Sequence, residues 1–175
     1  DDRKLTLPLK LSTFLQMVMP EPKGTQDDIY SIDSEDLKSK FPIRILIAED
    51  NKINQKLMLQ TLNYFGYLPG IAQNGLEALE ALKVNTYDLV FMDIQMPEMD
   101  GLEATRAINR LYQSDRPVII AMTASALLEE KQLCFMAGVD DFFSKPAKME
   151  NIGEMIQKWG PRILGERANE NPLPL

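Results

Sequence analysis

The chain has 175 residues, 45% of them hydrophobic and 26% charged, with a net charge of −7, values ordinary for one well-buried soluble domain with extensions. The acidic balance, with no basic patch, argues against a partner held through nucleic-acid phosphates. With no histidine and a single cysteine, Cys134, a histidine base, a Cys/His metal cluster and an internal disulfide are excluded, and a reducing, cytoplasmic setting fits.

No apolar run approaches the ~18 residues of a membrane span, and the leucine-rich start lacks the small-residue cleavage site of a signal peptide. In residues 1–19, Leu11, Phe14, Leu15 and Val18 recur at helical spacing after Pro8 and predict a short amphipathic helix. Residues 20–41 are polar and charged, poor in large apolar side chains, and read as a linker.

From Ile43 the pattern changes. Ile43–Ala48 is a β-prone run that ends on Glu49-Asp50-Asn51. Lys52–Phe65 reads as a helix with Ile53, Leu57, Leu59, Leu62 and Phe65 as its apolar positions, stopped by Gly66. Tyr67–Gln73 is a weak strand, and Asn74-Gly75 opens a helix carrying Leu76, Ala78, Leu79 and Leu82. Tyr87–Met92 is a third strand, its apolar run ending on Asp93, before the turn signals Met96-Pro97 and Asp100-Gly101. Leu102, Ala104, Ile108 and Leu111 line the next helix.

Pro117–Met122 is a fourth strand, running into Thr123-Ala124-Ser125. Leu127–Ala137 reads as a helix ended by Gly138, with Cys134 and Met136 as packing residues. Val139–Ser144 is a fifth strand and leads into Lys145-Pro146. The last helix spans Met149–Trp159, is stopped by Gly160-Pro161, and gives way to a tail over 161–175. Strand and helix thus alternate five times within residues 42–160. That alternation predicts a doubly wound α/β domain with a five-stranded parallel sheet and five helices, of flavodoxin-like size.

By itself, Asp93 is either a solvated strand-end residue or the centre of a site. The other strand exits decide between these. The exits carry Glu49-Asp50, Asp93, Thr123 and Lys145, and in a parallel sheet all lie along one edge. Three carboxylates together repel unless a cation lies between them, and hard oxygen donors suit Mg²⁺ or Mn²⁺. Lys145 then supplies positive charge, Thr123 a hydroxyl donor, and Asp93 a nucleophile toward phosphorus.

The motifs Glu49-Asp50-Asn51, Met92-Asp93 through Pro97 with Asp100-Gly101, Thr123-Ala124, and Phe142-Phe-Ser-Lys145-Pro146 resemble those of response-regulator receiver domains, as in two-component signalling and hybrid histidine kinases. The resemblance implies a strand order of 2-1-3-4-5 and Asp93 as acceptor of a phosphoryl group from a phosphohistidine on a histidine kinase or histidine phosphotransfer partner. It implies Mg²⁺ held by Glu49, Asp50, Asp93 and the backbone carbonyl of Gln95, and a switch pair of Thr123 and Phe142. Phe142 stands where a tyrosine is common, so it has no hydroxyl to donate. It is either a switch or core. Ser125 either tunes dephosphorylation, as Gln95 does in the family, or caps the next helix.

Leu7-Pro8-Leu-Lys-Leu aligns with Lys145-Pro146-Ala-Lys-Met, so residues 1–19 are either the tail of a preceding degenerate receiver or an unrelated helix. The resemblance also implies a parent histidine kinase whose catalytic core is not recognisable in this chain. Two other readings stand beside it. One is a receiver fold used as an interaction module whatever its phosphorylation state. The other is an aspartate-nucleophile phosphatase, against which Gln95 stands where that class usually carries a second aspartate.

Overall fold

The computed structural model describes residues 37–125 and 127–170, which fall within one unit, Asp33–Leu175. The expected helix over 1–19, its likeness to a receiver tail, most of the 20–41 linker and the last five residues lie outside the described residues. The apolar runs become strands β1 (Ile45–Ala48), β2 (Gly70–Ala72), β3 (Leu89–Asp93), β4 (Val118–Thr123) and β5 (Asp141–Ser144). Every residue of β1 and β3 is buried, as is all of β4 after its first residue. Burial on both faces is what near-continuous apolar runs require of central parallel strands covered by helices. All pairings are parallel, in the order β2-β1-β3-β4-β5.

The helices are α1 (Leu37–Lys40), α2 (Lys52–Tyr64), α3 (Gly75–Val84), α4 (Gly101–Tyr112), α5 (Leu128–Ala137) and α6 (Met149–Glu170), with a 3₁₀ turn at Gln113–Asp115. Three starts are capped as their sequences suggest. Asn51 accepts from the N–H groups of Ile53 and Asn54, Asn74 accepts from Glu77, and Asp100 forms a capping box with Glu103. Gly66 and Gly138 adopt φ of 91° and 96° where α2 and α5 end.

Two expectations fail. The five helices expected within residues 42–160 all form, but among the described residues a sixth, α1, lies within the stretch read as linker and buries Leu37. And α6 runs to Glu170 instead of stopping at Gly160-Pro161. Gly160 is a contact residue, since a Cβ there would meet the Phe41 ring at 2.6 Å. Pro161 sits exposed inside the helix, where it donates no backbone hydrogen bond and crowds the preceding turn, so the helix continues in spite of it. Beyond it, Ile163 is buried and Arg167 pairs with Asp88 and donates to the Pro42 carbonyl at 3.3 Å. Burial alone would raise the Asp88 carboxyl, but Arg44 and Arg167 hold it below its ordinary value. Tertiary contacts carry the helix through two residues that locally break it.

The apolar face of α2 is also displaced from expectation. Met58, Leu62 and Phe65 are buried, with Gln55 in phase, while Ile53 and Leu57 are 72% and 52% exposed. Leu111 and Met136 are likewise exposed, whereas Cys134 is fully buried. No helix among the described residues is long and apolar enough to cross a membrane.

If the end of α6 is an integral part of the fold, Ile163→Ala lowers unfolding free energy by roughly 2–4 kcal/mol. Urea unfolding measures this, and a loss below about 0.5 kcal/mol, the usual bound for surface substitutions, would contradict the packing described.

Candidate functional site

Strand register assembles the site. Ala48 pairs with Met92, Asp93 with Met122, and Thr123 with Ser144. Each of the expected site residues Glu49, Asp93, Thr123 and Lys145 therefore ends a strand or follows it by one residue, along one edge of the sheet. Two backbone bonds hold that edge, Glu49 N–H to the Ala72 carbonyl at 3.0 Å and Lys145 N–H to the Thr123 carbonyl at 2.6 Å. The Lys145–Pro146 peptide is cis.

Glu49 and Asp93 are almost fully buried, and Asp50 is exposed. The Lys145 ammonium bridges the buried pair, 3.0 Å from Glu49 Oε2 and 2.8 Å from Asp93 Oδ2. Glu49 Oε1 accepts from Asn51 N–H at 3.0 Å and Asn54 Nδ2 at 3.4 Å. Asp93 Oδ1 accepts from Gln95 N–H at 3.2 Å. Asp93 Oδ2 is different. Its partner is the Lys145 ammonium, so this buried oxygen is held by charge pairing.

The electrostatics follow from burial. Burial raises the Asp93 carboxyl from its ordinary 3.8 to about 6, Lys145 opposes the rise, and the charge on Glu49 adds to it. Burial disfavours the Lys145 ammonium, yet Asp93 and Glu49 more than offset this and its pKa is raised.

Carboxylate oxygens of Glu49, Asp50 and Asp93 lie within 4.8 Å of one another. Three hard oxygen donors this close can hold a metal ion of the kind that keeps oxygen ligands and open water positions. Gln95, expected to contribute its carbonyl, stands in the loop leaving Asp93, which is tied to the α3 terminus by Gly75 N–H to the Met99 carbonyl at 2.9 Å. Gly101 is needed here because a Cβ would lie 2.1 Å from the Asp93 carbonyl oxygen. Asp100-Gly101 thus lets α4 start directly against the end of β3.

Thr123 is buried, but its hydroxyl donates to the Ser125 carbonyl at 2.6 Å. Ser125 Oγ accepts from Leu127 N–H at 3.1 Å, so it steadies the approach to α5. Phe142 is half-buried. Its ring meets Phe135 edge-on at 5.4 Å, under the Lys131 ammonium at 4.9 Å.

A cleft of about 260 Å³ borders the site between α2 and the β5–α6 loop, lined by Glu49, Asn54, Leu57, Lys145 and Pro146 among others. A larger hollow of about 540 Å³ lies near the amino ends of the strands, beside Arg44 and Tyr87. It gathers no comparable set of carboxylates, so size does not pick out the chemistry. Sequence reasoning passed over Asn54 and Gln55. A polar Gln55 in phase with Met58 and Leu62 was the available signal.

A parallel 2-1-3-4-5 sheet bearing acids, a threonine and a lysine at its carboxyl edge defines a receiver-type signalling domain. Residues 45–157 match the model of the response regulator receiver domain, and the chain belongs to that family. It is 42% identical over 127 residues to hybrid signal transduction histidine kinase B of Dictyostelium discoideum, covering 66% of this chain and 6% of that protein. Against histidine protein kinase 1 of Candida albicans it is 31% identical over 166 residues, covering 89% of this chain and 7% of that kinase. The chain therefore spans only a small part of these relatives.

Among solved structures, the receiver domain of sensor histidine kinase PA1611 from Pseudomonas aeruginosa, with a magnesium ion in its active site cleft, is 34% identical. It superposes with a TM-score of 0.63, covering 68% of this chain and 98% of that one. The receiver domain of Ssk1 from Saccharomyces cerevisiae, crystallised with the phosphotransfer protein Ypd1, gives a match of 30% identity and TM-score 0.65, covering 68% and 89%.

Two outcomes are expected from this geometry. Gly101→Ala forces the α4 terminus off the Asp93 carbonyl and costs roughly 1–3 kcal/mol in chemical denaturation; an unchanged midpoint would mean the contact is relaxed without loss. The second concerns pH in metal-free protein. The folded Asp93 carboxyl titrates near 6 and the unfolded near 3.8, so proton binding favours the folded state. Its stabilising share is complete below 3.8 and is lost as pH rises through about 6. The stability of Asp93→Asn relative to the parent should therefore rise across that window, and a flat difference would contradict the assignment.

Proposed function

We propose that this receiver takes a phosphoryl group on Asp93 from a phosphohistidine of a histidine kinase or histidine phosphotransfer partner, with Mg²⁺ held by Glu49, Asp50, Asp93 and the Gln95 carbonyl. The observation that carries the reading is the buried Asp93 carboxylate set between the Glu49-Asp50 acid pair and Lys145. Mn²⁺ fits the same donors. Bound there, the cation would supply positive charge to offset the carboxylates and the phosphoryl oxygens.

The remaining steps belong to side chains of this chain. An Asp93 carboxylate oxygen attacks phosphorus and forms the P–O bond as the P–N bond to the donor imidazole breaks. The imidazole nitrogen leaves with that electron pair and takes up a proton. Lys145 offers its charge to the transferring group, so transfer needs positioning and charge rather than a base. Thr123 exchanges its hydrogen bond to the Ser125 carbonyl for a phosphoryl oxygen, and Phe142 leaves Phe135 and turns inward as its partner in the switch.

The partner approaches over the exposed apolar side chains of α2, Ile53 and Leu57, beside the cleft that leads to Lys145. The complex of the Ssk1 receiver with Ypd1 supports a phosphotransfer protein as that partner. The kinase relatives support a place in a phosphorelay of a hybrid kinase, and the buried, unpaired Cys134 fits a cytoplasmic setting.

Incubation with a small acyl phosphate and Mg²⁺ is expected to add one phosphoryl group, read by intact mass, and Asp93→Asn to abolish the gain. Lys145→Ala should slow the transfer by on the order of 10²-fold, as removal of one preorganised charge partner does elsewhere. No gain in the parent, or an equal gain in Asp93→Asn, overturns the proposal. Equal partner affinity before and after phosphorylation would instead favour a module whose output ignores the phosphoryl group.

A further inference from the structure

Gln55 lies on the core side of α2, only 5% exposed, in phase with Met58 and Leu62. Its side-chain Nε2 donates to the backbone carbonyl of Glu49 at 2.5 Å. The strand-to-helix junction has other ties besides this bond. Glu49 N–H is already in the sheet with Ala72, and the α2 terminus is already capped by Asn51. What the Gln55 bond adds is orientation. The Glu49 carbonyl belongs to the rigid peptide unit that leads into Asp50, so holding it fixes the direction in which Asp50 leaves the strand.

Asp50 depends on this more than the other two acids. Glu49 is held at both carboxylate oxygens and Asp93 by Gln95 and Lys145. Among the described residues, none makes a hydrogen bond or ion pair with the Asp50 side chain, which is exposed at the mouth of the site. A ligand with no support of its own is placed by its backbone alone. Groups that orient ligands in this way matter nearly as much for affinity as the ligands they serve.

We propose that Gln55 is a positioning residue of the acidic site, its buried amide holding the Glu49–Asp50 peptide so that Asp50 presents its carboxylate to the cation. The inference rests on the reading that Glu49, Asp50 and Asp93 bind Mg²⁺, and it assigns a role to a residue that touches neither cation nor phosphoryl group. Asn54, donating to Glu49 Oε1 from the same turn of α2, acts on the neighbouring acid.

The test is Mg²⁺ titration of the full chain by calorimetry, with melting temperature measured in metal-free protein. Gln55→Met keeps length and helix preference but removes the donor. It should weaken Mg²⁺ binding on the order of 10- to 100-fold, the usual effect of losing a group that orients a metal ligand. Leu82→Ala, a core deletion in α3, serves as a stability control and should leave Mg²⁺ affinity within about twofold despite a comparable loss in melting temperature. Gln55→Glu, which sets an acceptor against the Glu49 carbonyl, should weaken binding at least as much, and it decides the matter if the methionine variant does not fold.

Affinity within twofold of the parent in the Gln55 variants, while Asp50→Asn loses it, overturns the role of Gln55 alone. Equal weakening in Leu82→Ala does the same, since a general loss of stability would then explain the effect. Absence of saturable Mg²⁺ binding in the parent overturns the metal reading beneath it, and this inference with it.

Discussion

Two buried carboxylates converge on one ammonium, and the structure of the site depends on that contact. Glu49 and Asp93 are 1% and 2% exposed, and Lys145 lies within 3.0 Å of both. Two like charges withdrawn from water are unfavourable unless a positive charge stands between them. One lysine cannot balance both of them and Asp50 as well. The excess negative charge at this edge is what could draw a divalent cation to the cluster.

The rest of the molecule serves that convergence. Parallel pairing brings four strand exits to one edge, and the Lys145 N–H bond to the Thr123 carbonyl draws the lysine toward the central strands. Gly101 lets α4 begin against the Asp93 carbonyl, and Gln55 and Asn54 reach back from α2 to hold Glu49. The threonine and the aromatic ring expected to respond to phosphorylation are engaged elsewhere, with Ser125 on one side and with Phe135 and Lys131 on the other. Both belong to the adjacent strands β4 and β5, where Ala121 pairs with Phe142 and Thr123 with Ser144, so a movement of one strand end is felt by the other.

Much of this was legible in the chain because the signals were redundant. Four of the five β-prone runs led into residues of definite chemistry and each run was followed by a helix, so the parallel α/β fold and the site edge came together from one argument, while the sheet order came from the resemblance to receiver domains. The errors arose where one local signal had to stand alone. Gly160-Pro161 reads as a helix stop, yet the Phe41 ring occupies the space left by the glycine, and Ile163 and Arg167 anchor the continuation. Ile53 and Leu57 look like core residues until the buried phase of α2 is seen to run through Gln55, Met58 and Leu62. An apolar residue in a helix shows a face, but only the neighbouring element shows which face is covered.

The sequence by itself determined the alternation of strands and helices, the identity of the residues at the strand exits, and thus the kind of chemistry available. Those properties are written in short-range periodicity and residue type. Only the tertiary structure decided which donors orient each carboxylate, which oxygen of Asp93 faces Lys145, and how far burial lifts its pKa. These are set by distances of about 3 Å between residues far apart in the chain, such as the 2.8 Å from Lys145 to Asp93. At that range a change of rotamer alters the electrostatics while leaving every sequence pattern intact.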